Sequence, residues 1–96
     1  MGTLMDDATK RDVRARLKRA VGQVEGVLRM IEDDRYCVDV LMQLAAARAA
    51  LGKAGGVVLR AHVDTCVSTA FASDDPAERD AKAAELAKVF ERYMAS

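Results

Sequence analysis

The chain has 96 residues, enough for one domain but not for two. Its 15 basic and 15 acidic residues cancel, and a net charge of zero argues against a histone-like protein that coats nucleic acid. The charge is nevertheless uneven, because residues 1–60 carry 11 Lys and Arg against 8 Asp and Glu, whereas residues 61–96 carry 4 against 7. A local basic face therefore remains compatible with DNA binding.

The apolar residues are mostly Ala, Val, Leu and Met, and aromatic residues make up only 4% of the chain. This composition is typical of packed helices rather than of a sheet core. A chain of this length buries a modest core by itself, so we expect at least a dimer. There is no signal-like start and no uncharged run of membrane-spanning length. With two cysteines, we therefore expect a protein of the reducing cytoplasm that does not contact a membrane.

A first helix is predicted over about residues 7–33, after a frayed segment at residues 1–6. Either Asp7 or Thr9 is placed to cap its start. Its apolar residues recur with helical period, at Val13, Leu17, Ala20, Val21, Val24, Val27, Leu28 and Ile31.

A second helix is predicted over about residues 36–70, with Asp34 as a candidate cap. The short charged break before it implies that the two helices are antiparallel neighbours. A third helix is predicted over about residues 76–94, because Asp75 can be its N-cap and Pro76 its first helical residue. The pattern thus predicts an all-α protomer of three helices in a single domain, residues 1–96.

Glycines interrupt the first two helical patterns. Gly22 and Gly26 lower helix propensity, a cost that close approach of another helix would offset. Gly52, Gly55 and Gly56 cluster in the middle of the second helix, and they indicate either a break or one long helix that is tightly packed or bent there. We favour the long helix.

The chain has two cysteines and one histidine. His62 and Cys66 are spaced i, i+4, which places an imidazole and a thiol on one face of a helix. Thiolates and imidazole suit Cu(I), Zn(II) and other soft or borderline ions. Structural zinc usually takes four ligands, whereas Cu(I) accepts two or three, so Cys37, His62 and Cys66 fit copper better. A three-ligand catalytic zinc fits the count, but no general base stands out beside it.

Other interpretations of these residues stay open. A cysteine in a helical domain is often a small buried apolar residue. Cys37 and Cys66 are also candidates for a disulfide, or for paired reactive thiols of a redox or persulfide sensor. A helical interaction module without a ligand is a further alternative. No nucleophile–base arrangement is present, so we expect neither an enzyme, nor catalytic residues, nor a small organic substrate.

The segment from Lys10 to Arg19 has six basic residues and one acidic residue. Such a segment is often just the solvated face of a helix, and no helix-turn-helix, zinc-finger or ribbon signature accompanies it. If it binds DNA, phosphate contacts should dominate. The candidate residues in this segment are Arg11, Arg14, Arg16 and Lys18.

Five motifs, spread over about residues 11–71, resemble the CsoR/RcnR family of bacterial metal-sensing repressors. They are Arg16-Leu17-Lys18-Arg19, Gly22-Gln23-Val24-Glu25-Gly26, Arg29-Met30-Ile31-Glu32, Tyr36-Cys37-Val38-Asp39-Val40 and His62-Val63-Asp64-Thr65-Cys66. Together, Cys37, His62 and Cys66 resemble the copper-sensing type. The nickel/cobalt type uses additional histidines, the persulfide-sensing type lacks the histidine, and the formaldehyde-responsive type lacks the last cysteine.

The resemblance implies an antiparallel four-helix-bundle dimer, and two such dimers forming a homotetramer. It further implies that Cys37 and the His62/Cys66 pair come from opposite protomers. The apo form is expected to bind operator DNA, and Cu(I) is expected to lower that affinity and release transcription of copper-export genes.

The resemblance also suggests roles for single residues. Arg16 and Lys53 match positions implicated in DNA binding, whereas Met42 stands where the family often has a basic residue. Tyr36 matches a tyrosine beside the metal site. The family's glutamate beside the site falls in the third helix, where Glu85 is its counterpart and Glu78 the fallback.

Overall fold

The structure is a computed structural model that describes residues 5–94. No described residue lies in a β-strand, so the predicted all-α class is confirmed. The elements, in chain order, are α1 (Asp7–Glu32), α2 (Cys37–His62), a π-helical turn (Val63–Val67), α3 (Ser68–Phe71) and α4 (Pro76–Met94). The residues flanking the π turn have right-handed helical angles, so α2, the turn and α3 run on as one helical backbone, as predicted for residues 36–70.

Helix α1 begins one residue earlier than the predicted caps imply. Asp6 is the N-cap, and its Oδ1 atom accepts a hydrogen bond of 2.8 Å from the Thr9 backbone N–H. Asp7 is therefore the first helical residue, and Thr9 supplies a donor instead of capping. Hydrogen bonds from Thr9 also lower the pKa of Asp6. Of the segment predicted to fray, residues 1–4 lie outside the described residues, whereas Asp6 stabilises the helix end.

Asp34 ends α1 and does not cap α2, contrary to the prediction. It adopts a left-handed backbone conformation with φ of 53°. The Arg35 N–H donates to the Met30 carbonyl over 3.0 Å, and the Asp34 N–H donates to the Ile31 carbonyl over 3.2 Å. These two bonds form a Schellman motif, in which a left-handed residue lets the chain satisfy the last carbonyls of a helix. The four residues that follow α1 reverse the chain into α2.

The glycines do not interrupt either helix. Helix α2 runs through Gly52 and Gly56 as regular α-helix, so the prediction of one long helix is confirmed. A Cβ atom placed on Gly22, Gly52 or Gly56 would meet nothing within 4 Å. On Gly26 it would meet the Arg29 guanidinium at 3.8 Å. Within residues 5–94, the close helix approach predicted at Gly22 and Gly26 is therefore not present.

The described chain divides into two compact units, residues 5–59 and residues 60–94. In the first unit, the buried side chains recur every seven residues along both helices, which is the spacing of a helix–helix seam. They are Val13, Ala20 and Val27 of α1 and Val40, Ala47 and Ala54 of α2. The predicted apolar face of α1 is wider than this seam, and its other members are exposed. We call these exposed residues the α1 apolar flank: Leu17, Val21, Val24, Leu28 and Ile31.

In the second unit, α4 packs against α3 and the π turn. Its buried side chains are Val67 and Ala70. Helix α4 begins at Pro76, and Asp75 Oδ1 accepts a 3.0 Å hydrogen bond from the Ala77 N–H, so the predicted start is confirmed. This packing sets the middle of α4 beside the end of α2. Among residues 5–94, no helix is both long and apolar enough to cross a membrane.

Candidate metal centre

His62 and Cys66 lie where the helix changes its winding. His62 is the last residue of α2, and Cys66 lies within the π turn. The wider turn is supported by hydroxyl groups that bond to backbone carbonyls. Thr65 Oγ1 donates to the Ala61 carbonyl over 2.7 Å, and Ser68 Oγ donates to the Val63 carbonyl over 2.9 Å. Single π turns inside α-helices are concentrated at functional sites, and this one holds both candidate ligands of the second unit.

His62 contacts Glu85 of α4. The distance from His62 Nε2 to Glu85 Oε1 is 2.9 Å. An ionised carboxylate only accepts hydrogen bonds, so Nε2 must carry the proton. When the ring is neutral, the lone pair is then on Nδ1, which is free to bind a metal. The contact therefore selects which ring nitrogen is available as a ligand.

Lys82 contacts the same carboxylate. Its Nζ atom lies 3.3 Å from Glu85 Oε1 and 3.5 Å from Oε2. Hydrogen bonds from Lys82 and, second, from His62 lower the pKa of Glu85 below its ordinary value. Lys82 is also the least exposed of the three side chains, at 22% against 29% for His62 and 47% for Glu85. Glu85 is thus kept ionised and oriented toward the imidazole.

Cys66 is half-buried and has the Thr65 hydroxyl beside it. The distance between Cys66 Sγ and Thr65 Oγ1 is 3.6 Å. Because Thr65 donates its own proton to Ala61, the thiol of Cys66 is the donor in this contact. Both Cys66 and Cys37 are free cysteines.

The other predicted residues of the site lie in the first unit. Cys37 is the first residue of α2 and is exposed, and Tyr36 precedes it and is also exposed. Across residues 5–94, no group of three or more His, Cys, Asp and Glu side chains is close enough to hold a metal ion. Glu78, the fallback for the glutamate, accepts a 2.7 Å hydrogen bond from the Ser73 hydroxyl at the start of α4. Of the two glutamates, Glu85 is the one that contacts the imidazole.

Two of the predicted DNA-contacting residues lie together. Arg16 of α1 and Lys53 of α2 line a depression of ≈ 270 Å³, which Arg19 also lines. Arg16 is paired with Asp12 over 2.9 Å. The remaining candidates are exposed on α1: Arg11, Arg14 and Lys18. Sequence reasoning did not select Arg19 for this role, although it lies in the basic segment and three residues after Arg16.

The comparisons with known proteins identify a family and agree with the helical fold. The family model described as "Metal-sensitive transcriptional repressor" matches residues 9–92. The chain belongs to this family, whose members are repressors and not enzymes.

Among its relatives is the copper-sensing transcriptional repressor CsoR of Bacillus subtilis, which is 39% identical over 87 residues, or 91% of this chain and 83% of that protein. CsoR of Mycobacterium bovis is 46% identical over 63 residues, or 66% of this chain. The match spans only about half (53%) of that mycobacterial protein's length. A crystal structure of the copper-sensing repressor CsoR with Cu(I), from Geobacillus thermodenitrificans, has a TM-score of 0.82 and 35% identity, and covers 97% of this chain and 96% of that one.

Proposed function

We propose that this chain is a Cu(I)-responsive transcriptional repressor. The apo form binds operator DNA, and Cu(I) binding at Cys37, His62 and Cys66 lowers the DNA affinity and derepresses copper-export genes. Membership of a repressor family supports the regulatory role. The copper-sensing relatives and the Cu(I)-bound structural neighbour support the choice of metal. The protein acts in the reducing cytoplasm, where both thiols stay available.

The donor set fits a soft monovalent ion. Two thiols and one imidazole match the preference of Cu(I) for soft ligands and low coordination numbers. The hydrogen bond from His62 Nε2 to Glu85 leaves Nδ1 as the nitrogen donor. Cu(I) bound at these donors would hold the imidazole fixed. Both thiols must lose a proton to bind, so copper affinity should rise with pH.

The third donor comes from a second copy of the chain. Cys37 begins α2 and His62 ends it, and a helix of 26 residues is about 39 Å long. One continuous helix therefore cannot bring the two side chains to the same ion. An antiparallel homodimer offers Cys37 of one protomer to His62 and Cys66 of the other, and Tyr36 comes with Cys37. The α1 apolar flank is the surface that the second protomer covers, and two dimers associate as a homotetramer.

The contact between His62 and Glu85 is the observation that carries the response. It joins a metal ligand on one helical segment directly to α4. When the imidazole is held by ligation, its Nε2–H fixes the position of Glu85 and therefore of α4. Metal binding can change DNA affinity only if the protein has two conformations and each ligand binds one of them more tightly than the other. The two conformations differ in how α4 packs against the π turn.

Operator DNA binds the basic face of the first unit, mainly through its phosphates. The residues are Arg11, Arg14, Arg16, Lys18 and Lys53. The depression shared by Arg16 and Lys53 supports this assignment, because it brings together cations from α1 and α2. Binding through phosphates should fall steeply as salt increases.

The experiment is an anaerobic Cu(I) titration with X-ray absorption, followed by a DNA mobility shift with and without the metal. We expect one Cu(I) per chain bound by two sulfurs and one nitrogen, and loss of the DNA complex when copper is added. Cys37→Ser and Cys66→Ser should each abolish that loss. If persulfide releases DNA and Cu(I) does not, the chain is a thiol sensor instead. If neither Cu(I) nor persulfide changes DNA binding by the wild type, and replacement of both cysteines changes nothing either, the chain is a module without a ligand.

A further inference from the structure

A second depression lies on α1 beside the one that holds Arg16 and Lys53. It has a volume of ≈ 510 Å³ and is formed within the first unit. Three arginines line it: Arg19, Arg29 and Arg35. Arg29 and Arg35 lie outside the basic segment from Lys10 to Arg19, because Arg29 is more than two helical turns beyond it on α1 and Arg35 lies in the turn after α1.

The two depressions are adjacent. Arg19 and Gln23 line both of them. A row of cations therefore runs from Lys53 and Arg16, through Arg19, to Arg29 and Arg35. We call this row the cationic track.

The floor of the track is open helical backbone. Gly22 and Gly26 line the second depression, and a Cβ atom on Gly22 would meet nothing within 4 Å. Packing inside the protomer thus gives no reason for glycine at this position.

The arginines of the track are available to an anion. Within residues 5–94, neither Arg19 nor Arg29 forms an ion pair. Arg35 lies 4.0 Å from Asp39, but both side chains are exposed, and such a pair contributes little to stability. Asp33 is the acidic residue in the lining, so positive charge dominates. A guanidinium group binds phosphate through two parallel hydrogen bonds. A row of such groups over an open backbone floor fits the phosphates of a nucleic-acid strand, which are regularly spaced along it.

We propose that Arg19, Arg29 and Arg35 bind operator phosphates alongside Arg16 and Lys53. The inference rests on the proposed DNA-binding function and extends its surface along α1 to the turn before α2. The protein then contacts more of the DNA backbone than the basic segment alone would allow.

The experiment compares Arg29→Gln and Arg35→Gln with Arg16→Gln and with the exposed control Arg92→Gln of α4. The probe is a fluorescein-labelled duplex enriched from a random pool by the wild-type apo protein. Each variant in the track should weaken binding roughly five- to tenfold, and should reduce the slope of log affinity against log salt by about one per contacting protomer. Arg92→Gln should bind as wild type does.

The results distinguish failure of the extended phosphate-binding surface from failure of the proposed DNA-binding function. If Arg16→Gln binds weakly while Arg29→Gln and Arg35→Gln bind like wild type, the extension is wrong and the proposed function stands. If the wild-type protein enriches no duplex, the DNA-binding function itself fails, and the inference fails with it.

A second pair of variants tests the open floor. Gly22→Glu adds a negative charge where the protomer leaves space, and Ala84→Glu adds the same charge on the exposed surface of α4. We expect Gly22→Glu to fold, to keep the oligomeric state, and to bind the duplex at least tenfold more weakly than Ala84→Glu. A change of oligomeric state in Gly22→Glu would show that a second copy covers the track, which overturns the inference.

Discussion

Glu85→Ala tests whether the contact between α4 and the imidazole transmits copper binding. The substitution removes the carboxylate that lies 2.9 Å from His62 Nε2. It leaves both thiols and the Nδ1 donor in place. Copper affinity should fall by about tenfold, the lower end of the range for partners of metal ligands. Coupling between two ligands is typically about 5- to 150-fold, and we expect Glu85→Ala to reduce it to less than about threefold.

The assay needs two measurements on the same preparation. Copper affinity is measured anaerobically by competition with a chromogenic Cu(I) chelator, and DNA affinity by fluorescence anisotropy with and without the metal. Glu85→Gln is the matched control, because its amide oxygen can accept the same hydrogen bond without the charge, and it should retain part of the coupling. His62→Ala should likewise lose more coupling than copper affinity. If Glu85→Ala releases DNA on copper addition as the wild type does, the contact does not carry the response.

Four further predictions follow from the structure. Lys82→Met should raise the pKa of Glu85 toward its ordinary value, because Lys82 is the larger cause of its lowering; an unchanged pKa in an NMR titration would contradict this. The pKa of Glu85 is lower in the folded state than in the unfolded state. The ionised carboxylate therefore stabilises the fold above the pKa of the unfolded state, and this contribution is lost as the pH falls through the pKa of the folded state. The difference in free energy of unfolding between wild type and Glu85→Gln should shrink over that fall in pH. Asp34→Gly should raise the free energy of unfolding by up to about 1 kcal/mol, measured by chemical denaturation. Glycine adopts left-handed backbone angles without a steric cost, and the greater conformational entropy of glycine in the unfolded chain offsets only part of this gain. Leu28→Glu places a charge in the α1 apolar flank and should dissociate the oligomer in sedimentation experiments, whereas an unchanged oligomer would move the interface elsewhere.

The helices could be predicted from the sequence because their signals are local. The helical spacing of the apolar residues predicted α1 and α2, and the Asp75–Pro76 pair predicted the start of α4. The errors are at the helix ends, where one residue decides the cap. Asp6 and Asp7 are the same residue type, and only the backbone angles distinguish the N-cap from the first helical residue. Asp34 was predicted to begin a helix because aspartate is a common N-cap, but its tolerance of left-handed angles made it the end of one.

The candidate site was only partly accessible from the sequence. The His62 and Cys66 spacing was evident, but the π turn that carries Cys66 has no sequence signature beyond the hydroxyl residues that support it. Glu85 was selected through family resemblance, because its contact with His62 depends on how α4 packs and not on local spacing. Arg29 and Arg35 were not selected as DNA ligands, since their common depression appears only when the turn after α1 is formed.

The direct test of the account is complementation between two inactive variants. Cys37→Ser and Cys66→Ser each lack one donor in every site of their own homodimer. If each site joins Cys37 of one protomer to His62 and Cys66 of the other, a mixed dimer regains one complete site. The two variants are mixed in equal amounts and allowed to exchange protomers at random, and a chelator removes copper held by only two ligands. Half of the dimers are then mixed, and each has one complete site of two, so the mixture should bind roughly a quarter of the Cu(I) bound by wild type. A mixture that binds no more Cu(I) than the separate variants would contradict a site shared between protomers.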